Sequence, residues 1–341
     1  MTMADPNTPA TNRKRVLSGM QASGRLHLGN FHGALENWVR LQDEYECFFF
    51  VADWHALTTL YSEPGKVREF TREVAIDFLA CGLDPDKSCI FVQSDVLEHA
   101  ELFVLLAMLT PVPWLERVPS YKDKQKELAD KDLSSLGFLG YPALQAADIA
   151  VYRADYVPVG EDQLPHLELT REIVRRFNYL YGEVLVEPKE IVTPTAVLPG
   201  LDGRKMSKSY GNAVYLSDDD ETVKKKFQNA VTDPQRMRRK DPGRPEVCNV
   251  YAYHKLYTAP SRLSEIDAAC RSAGIGCVDC KRELIERFFE RFGAIRERRR
   301  EIERNPQQVA EVLRLGAERA RRAARECMAR VRQAMRMGWT P

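Results

Sequence analysis

Two stretches of this 341-residue chain carry residue types that suit phosphate chemistry. The first is His27-Leu28-Gly29-Asn30, which follows a glycine-rich loop and precedes an apolar pattern of helical spacing. A strand, a glycine loop and a helix start make an anion site, because free backbone N–H groups and the helix dipole favour phosphate there. Gly29 removes a side chain where a flat base might approach, and His27 and Asn30 add donors. The bland alternative is that Gly29 only packs closely and His27 only caps the helix. The second stretch, residues 199–212, holds Lys205, Met206, Ser207, Lys208 and Ser209 among glycines. Lys205 and Lys208 can neutralise a polyphosphate leaving group, and Ser207, Ser209 and backbone N–H groups can bind its oxygens. A flexible basic surface loop would suit a lone pair of lysines, not this whole string.

Elements must place these groups. Arg15-Val16-Leu17 starts a buried strand that runs into a turn-rich loop at Ser18–Gly24. Residues 47–52 and 89–92 read as strands, with an amphipathic helix over 67–79 between them. Strand–helix alternation implies a parallel sheet with ligands at the strand carboxyl ends. The expected fold class is α/β. A mobile N-terminus at 1–14 precedes a Rossmann-like parallel-sheet nucleotide-binding domain at 15–200. The Lys205 loop then acts as a hinge into a mostly α-helical domain at 201–341.

Net charge is +1, so the whole molecule has no bias toward polyanions. Residues 281–341 nevertheless hold 17 Lys/Arg against 9 Asp/Glu, which suits either a phosphate-binding face or a salt-bridged solvated helix. No secretory signal or membrane-length apolar run is visible, so the expected setting is cytoplasmic and reducing, without a membrane. Four of the eight cysteines, Cys248, Cys270, Cys277 and Cys280, are spaced C-x21-C-x6-C-x2-C. Soft thiolates in fours suit zinc or an iron–sulfur cluster. Four buried apolar cysteines are the alternative, and Cys47, Cys81, Cys89 and Cys327 read as core.

Lys205-Met206-Ser207-Lys208-Ser209 matches the KMSKS signature of class I aminoacyl-tRNA synthetases, and His27-Leu28-Gly29-Asn30 resembles their HIGH signature, in the right order. Further stretches are similar to the bacterial-type tryptophanyl-tRNA synthetase branch: Ser18–Gly24, Val51–Leu57, Tyr121–Lys124, Gly140–Asp148, Val157–Gln163, Thr232-Asp233-Pro234 and a tail from Leu313 to Gly338. The resemblance covers residues 15–340. It implies a tryptophan–tRNA ligase that activates L-tryptophan with ATP and Mg2+, works on tRNA(Trp) and forms a homodimer. Some members of that branch carry a [4Fe–4S] cluster on a similar cysteine set, with zinc as the alternative here.

Residue by residue, the resemblance implies that Gln21, Ala22 and Ser23 line the phosphate and amino-acid side of the cleft. It implies that Gly29 and Asn30 hold adenine and phosphate, that Gly160, Glu161 and Asp162 form the ribose turn, and that Val197 lies against adenine. His27, Asn30, Lys205 and Lys208 are the catalytic set, with Met206, Ser207 and Ser209 beside them. Asp148 is the specificity residue, because an indole offers one donor, its ring N–H, and a buried carboxylate there selects it. Its alternative is a surface salt bridge, which the neighbouring Ala146, Ala147 and Ile149 disfavour. Val157 and Val159 supply apolar walls, with Tyr141, His55 and Gln163 nearby. Gln145 departs from members with methionine, and a Gln-x-x-Asp face is similar to tyrosyl-tRNA synthetases, so tyrosine is the second substrate reading. Another nucleotidyltransferase and an inactive RNA-binding paralogue are the remaining alternatives.

Overall fold

The computed structural model describes residues 13–118, 135–192 and 198–338. Val197, Tyr121–Lys124 and most of the N-terminal segment at 1–14 lie outside the described residues. The chain divides into two compact units. One comprises Met1–Gly24, Ala34–Thr195 and Asn305–Pro341; the other comprises Arg25–Gly33 and Ala196–Arg304.

The first unit is built on a five-stranded sheet of β1 (Arg15–Gln21), β2 (Glu46–Ala52), β3 (Ser88–Val92), β4 (Tyr156–Val159) and β5 (Lys189–Val192), in the order β3-β2-β1-β4-β5. Every pairing is parallel. The near-continuous apolar runs of β2 and β3 are those of strands covered on both faces. The order reverses beside β1, so the crevice outside the carboxyl ends of β1 and β4 is the switch point where such sheets take ligands.

β1 continues through Ser18–Gln21, where a turn-rich loop was expected, pairing Met20 with Val51 and Gln21 with Ala52. Gly19 belongs to the strand for a packing reason: a Cβ there would lie 2.5 Å from the Phe50 ring. The expected helix over 67–79 is observed as Pro64–Cys81.

The Pro306–Ala334 helix closes the sheet's side in the same unit. A Cβ on Gly316 would stand 1.7 Å from the Ile90 carbonyl oxygen, so only glycine lets this helix lie on β3. Its arginines work as clips. Arg319 Nη1 donates to the Pro85 carbonyl at 2.8 Å, Arg321 Nη2 to the Asp95 carbonyl at 2.6 Å, and Arg325 Nε to Glu98 at 3.0 Å. Part of the C-terminal positive charge therefore serves packing.

The second unit is mostly helical. The Asp220–Asn229, Asn249–Tyr257 and Cys277–Glu303 helices carry an aromatic core in which Phe227, Tyr253, Phe288 and Phe292 are buried, and the Pro260–Arg271 helix follows the second of them. Among the described residues no helix is long and apolar enough to cross a membrane.

Candidate active site

In the second unit the two motifs meet. His27 is the N-cap of the Leu28–Asn30 turn: its Nδ1 accepts from the Asn30 N–H at 3.3 Å, and Asn30 Oδ1 accepts from the His27 N–H at 3.0 Å. This reciprocal cap is held by the chain just beyond the lysine loop, through Leu28 N–H to the Val214 carbonyl at 3.0 Å and Leu216 N–H to the Leu26 carbonyl at 2.9 Å. A Cβ on Gly29 would meet the His27 ring at 3.0 Å and Met206 Sδ at 3.8 Å. His27 therefore caps, and Gly29 packs closely, within a site that also contains the lysine loop. Burial pushes the His27 imidazole down to about 4, with the Lys208 ammonium adding to the effect. The neutral ring keeps Nδ1 as an acceptor at neutral pH.

The lysine loop is pinned by one amide. Asn212 is 4 % exposed; its Oδ1 accepts from Ser207 N–H at 2.9 Å, and its Nδ2 donates to Asp202 Oδ1 at 2.7 Å and to the Lys205 carbonyl at 3.1 Å. The Lys208–Tyr210 turn follows, Lys205 is exposed, and Ser207 and Lys208 are half-buried. The placement of Ser209's backbone lies in that turn. Asn212 was not singled out from sequence.

In the first unit, Gln21 ends β1 and donates from Nε2 to the His55 carbonyl at 2.6 Å. Ala22 is buried and Ser23 half-buried just beyond it. Gly160 leads from β4 into the Glu161–Gln163 turn, where Glu161 and Asp162 are exposed and Gln163 is half-buried. Val157 and Val159, two residues apart on β4 and so on one face, are buried.

Asp148, on the Leu136–Val151 helix, is 1 % exposed and far from a surface salt bridge. It accepts from His55 Nε2 at 2.7 Å, Gln93 Nε2 at 2.8 Å and His99 Nδ1 at 2.7 Å. Burial pushes its carboxyl up, but the His55 and His99 partners overcome this and hold it at about 2. The group is an ionised acceptor at neutral pH. Tyr141 is buried and its ring lies 6.5 Å from that of His55; Gln145 is half-buried. Tyr141 also borders a cavity of about 460 Å³ lined by Trp54, Leu57, Phe103 and Leu144. Gln93 and His99 were missed from sequence; the only available signal was Gln93's place at the carboxyl end of β3.

The four cysteines share a neighbourhood but not a ligand geometry. All four are half-buried. Burial, and then the other three thiols, push Cys280 up to about 12. Yet Cys270 Sγ accepts from Arg236 Nη1 at 3.6 Å and Cys280 Sγ pairs with His254 Nε2 at 3.4 Å. Among the described residues no three Cys, His, Asp or Glu side chains are arranged to hold a metal ion. A metal at the four cysteines is therefore not shown among the described residues.

A parallel sheet with a β1/β4 switch point, together with a capped His-Leu-Gly-Asn turn laid against a lysine loop, defines a nucleotide-activating α/β enzyme of the class I synthetase type. The sequence model described as "tRNA synthetases class I (W and Y)" matches residues 9–293, and the chain belongs to that family. It is 52% identical over 325 residues to the tryptophan–tRNA ligase of Thermotoga maritima, covering 95% of this chain and 99% of that one. It is 45% identical over 393 residues to the tryptophan–tRNA ligase of Aquifex aeolicus, covering 95% and 100%. Among solved structures, tryptophanyl-tRNA synthetase from Campylobacter jejuni, complexed with ADP and tryptophan, superposes with a TM-score of 0.87 at 37% identity, covering 95% of this chain and all of that one.

Proposed function

We propose that the protein is a tryptophan–tRNA ligase, which converts L-tryptophan and ATP with Mg2+ into tryptophanyl-adenylate and pyrophosphate and then esterifies tRNA(Trp). The observation that carries the substrate reading is the buried, ionised Asp148 carboxylate, an acceptor suited to the one donor of an indole. In the first unit, Asp148, Tyr141, Gln145, Val157, Val159, Gln163 and His55 are the tryptophan set. Gln21, Ala22 and Ser23 are proposed for nucleotide, and Gly160, Glu161 and Asp162 for ribose. In the second unit, His27, Gly29, Asn30, Lys205, Met206, Ser207, Lys208 and Ser209 are the phosphate set, and Val197 is proposed for adenine.

In activation, a substrate carboxylate oxygen attacks the α-phosphorus, and the bond to the bridging oxygen breaks. The electron pair leaves on pyrophosphate. No covalent enzyme intermediate is needed, and positioning plus charge stabilisation do the work. Lys205 and Lys208 balance the charge gathering on the leaving group, and neutral His27 keeps the turn's N–H groups ordered.

Amino-acid-dependent pyrophosphate exchange tests the reading, with tryptophan alone expected to stimulate it. Gln145, one helical turn from Asp148, is the feature that favours a phenol instead. Stimulation by tyrosine alone would overturn the tryptophan assignment, and stimulation by neither would favour an inactive paralogue. The helical second unit is proposed for the tRNA anticodon. A homodimer is proposed through the exposed Val104, Met108 and Val112 of the first unit. The [4Fe–4S] cluster is retained only as a proposal from cysteine spacing: anaerobically purified protein with iron and sulfide supports it, one zinc supports the alternative, and neither removes both.

A further inference from the structure

The Asp148 carboxylate has a fixed number of acceptor sites, and its neighbours use up most of them. A carboxylate offers about four lone-pair sites, two on each oxygen. Oδ1 takes both Gln93 Nε2 and His99 Nδ1, while Oδ2 takes His55 Nε2. Oδ1 is full, and Oδ2 keeps one site. Because the ionised carboxylate only accepts, the His99 proton sits on Nδ1, and Nε2 then accepts from the Tyr152 hydroxyl at 2.7 Å. His99 and Tyr152 are fully buried, so their orientation is set by this chain of bonds and by packing.

Gln93 adds a second, independent observation. It is fully buried, and its Oε1 has no hydrogen-bond partner among the described residues. Turning the amide over would set oxygen against oxygen, so the carboxylate fixes it as it stands. An unpaired buried acceptor destabilises a core, and an apolar residue of similar size would avoid that. What the glutamine supplies here is a donor on Oδ1.

We infer that Gln93, His99 and Tyr152 are positioning residues that determine specificity: Gln93 and His99 saturate Oδ1, Tyr152 orients His99, and a single acceptor site is left, on Oδ2, for the ring N–H of an indole. This rests on the reading of Asp148 as the indole acceptor. His99 and Gln93 act through Asp148, and Tyr152 acts through His99. A substrate without a ring donor leaves the Oδ2 site unpaired, with no alternative oxygen to turn toward it.

The test compares pyrophosphate exchange by the full chain with L-tryptophan and with 3-benzothienyl-L-alanine, which carries sulfur in place of the ring N–H. The readout is the ratio of the two kcat/KM values. Gln93→Met removes one donor at nearly constant volume, and the ratio should fall about tenfold or more, the scale of one charge-assisted hydrogen bond, with the KM for ATP unchanged. Tyr152→Phe touches no atom of Asp148 and should lower the ratio by roughly threefold, a fraction of that scale. Loss of activity toward both substrates in equal proportion, leaving the ratio intact, would show mere structural damage and refute the inference. Should Gln93→Met not fold, Tyr152→Phe decides on the same ratio. A wild-type protein with no preference for the N–H-bearing substrate would instead sink the Asp148 reading itself.

Discussion

Asn212→Ala isolates how the lysine loop is held. The amide bonds Ser207 N–H, the Lys205 carbonyl and the Asp202 carboxylate, all within the loop it follows. Its contact is the first cause holding the Asp202 carboxyl below the usual range. The two bonds to the loop's backbone, at about 1 kcal/mol each, set a working figure of about 2 kcal/mol. The bond to Asp202 exchanges with water and is left out of that figure. In the proposed function the loop's lysines act on charge that develops as pyrophosphate leaves, and on that reading the loss belongs in the transition state. In pyrophosphate exchange, kcat should fall about 30-fold, the equivalent of that energy, while the KM for tryptophan stays within about twofold. A raised tryptophan KM with unchanged kcat would refute the reasoning, because Asn212 would then support substrate binding and not the loop's charge. Normal kinetics would show that the loop orders itself without the amide.

Lys208→Ala should lower the activation rate far more than it weakens tryptophan binding, and equal losses in single-turnover rate and dissociation constant would contradict a leaving-group role. His27 is held down to about 4 in the fold against an ordinary 6.5, so the unfolded chain binds the extra proton between those values. Its contribution is whole above pH 6.5 and is lost as pH falls through about 4, up to about 3 kcal/mol. Chemical denaturation from pH 7 to pH 4 should show a steeper loss in the wild type than in His27→Asn, which can cap without titrating; equal slopes would count against it. Gly316→Val should lower the thermal midpoint by about 4 °C through roughly 3 kcal/mol of overpacking against the Ile90 carbonyl, and an unchanged midpoint would mean that the helix can move off β3 freely.

Some of the site was legible because its chemistry restricts residue type. Phosphate calls for glycine, capping groups and cations close together in sequence, and His27–Asn30 and Lys205–Ser209 satisfy that locally. The strands at 47–52 and 89–92 were legible because doubly covered strands must be apolar throughout. β1 was read too short because Gly19 carries no mark of why it is glycine; the Phe50 ring that requires it lies on another strand. Arginines of the last helix read as a phosphate-binding face or a salt-bridged solvated one, since their carbonyl and Glu98 partners come from distant segments. Cysteine spacing carried no information on sulfur direction, and Cys270 and Cys280 turn to Arg236 and His254.

The linear order of residues by itself determined the parallel α/β class, because propensity and burial pattern are properties of neighbours along the chain, and its resemblance to class I synthetases pointed to His27–Asn30, Lys205–Ser209 and Asp148. Only the tertiary structure decided that Met206 meets Gly29, that Asn212 staples the loop, and that Gln93, His99 and His55 converge on one carboxylate. Such convergence depends on strand order and helix packing, and a buried polar side chain gains its partner only when segments remote in sequence are brought together.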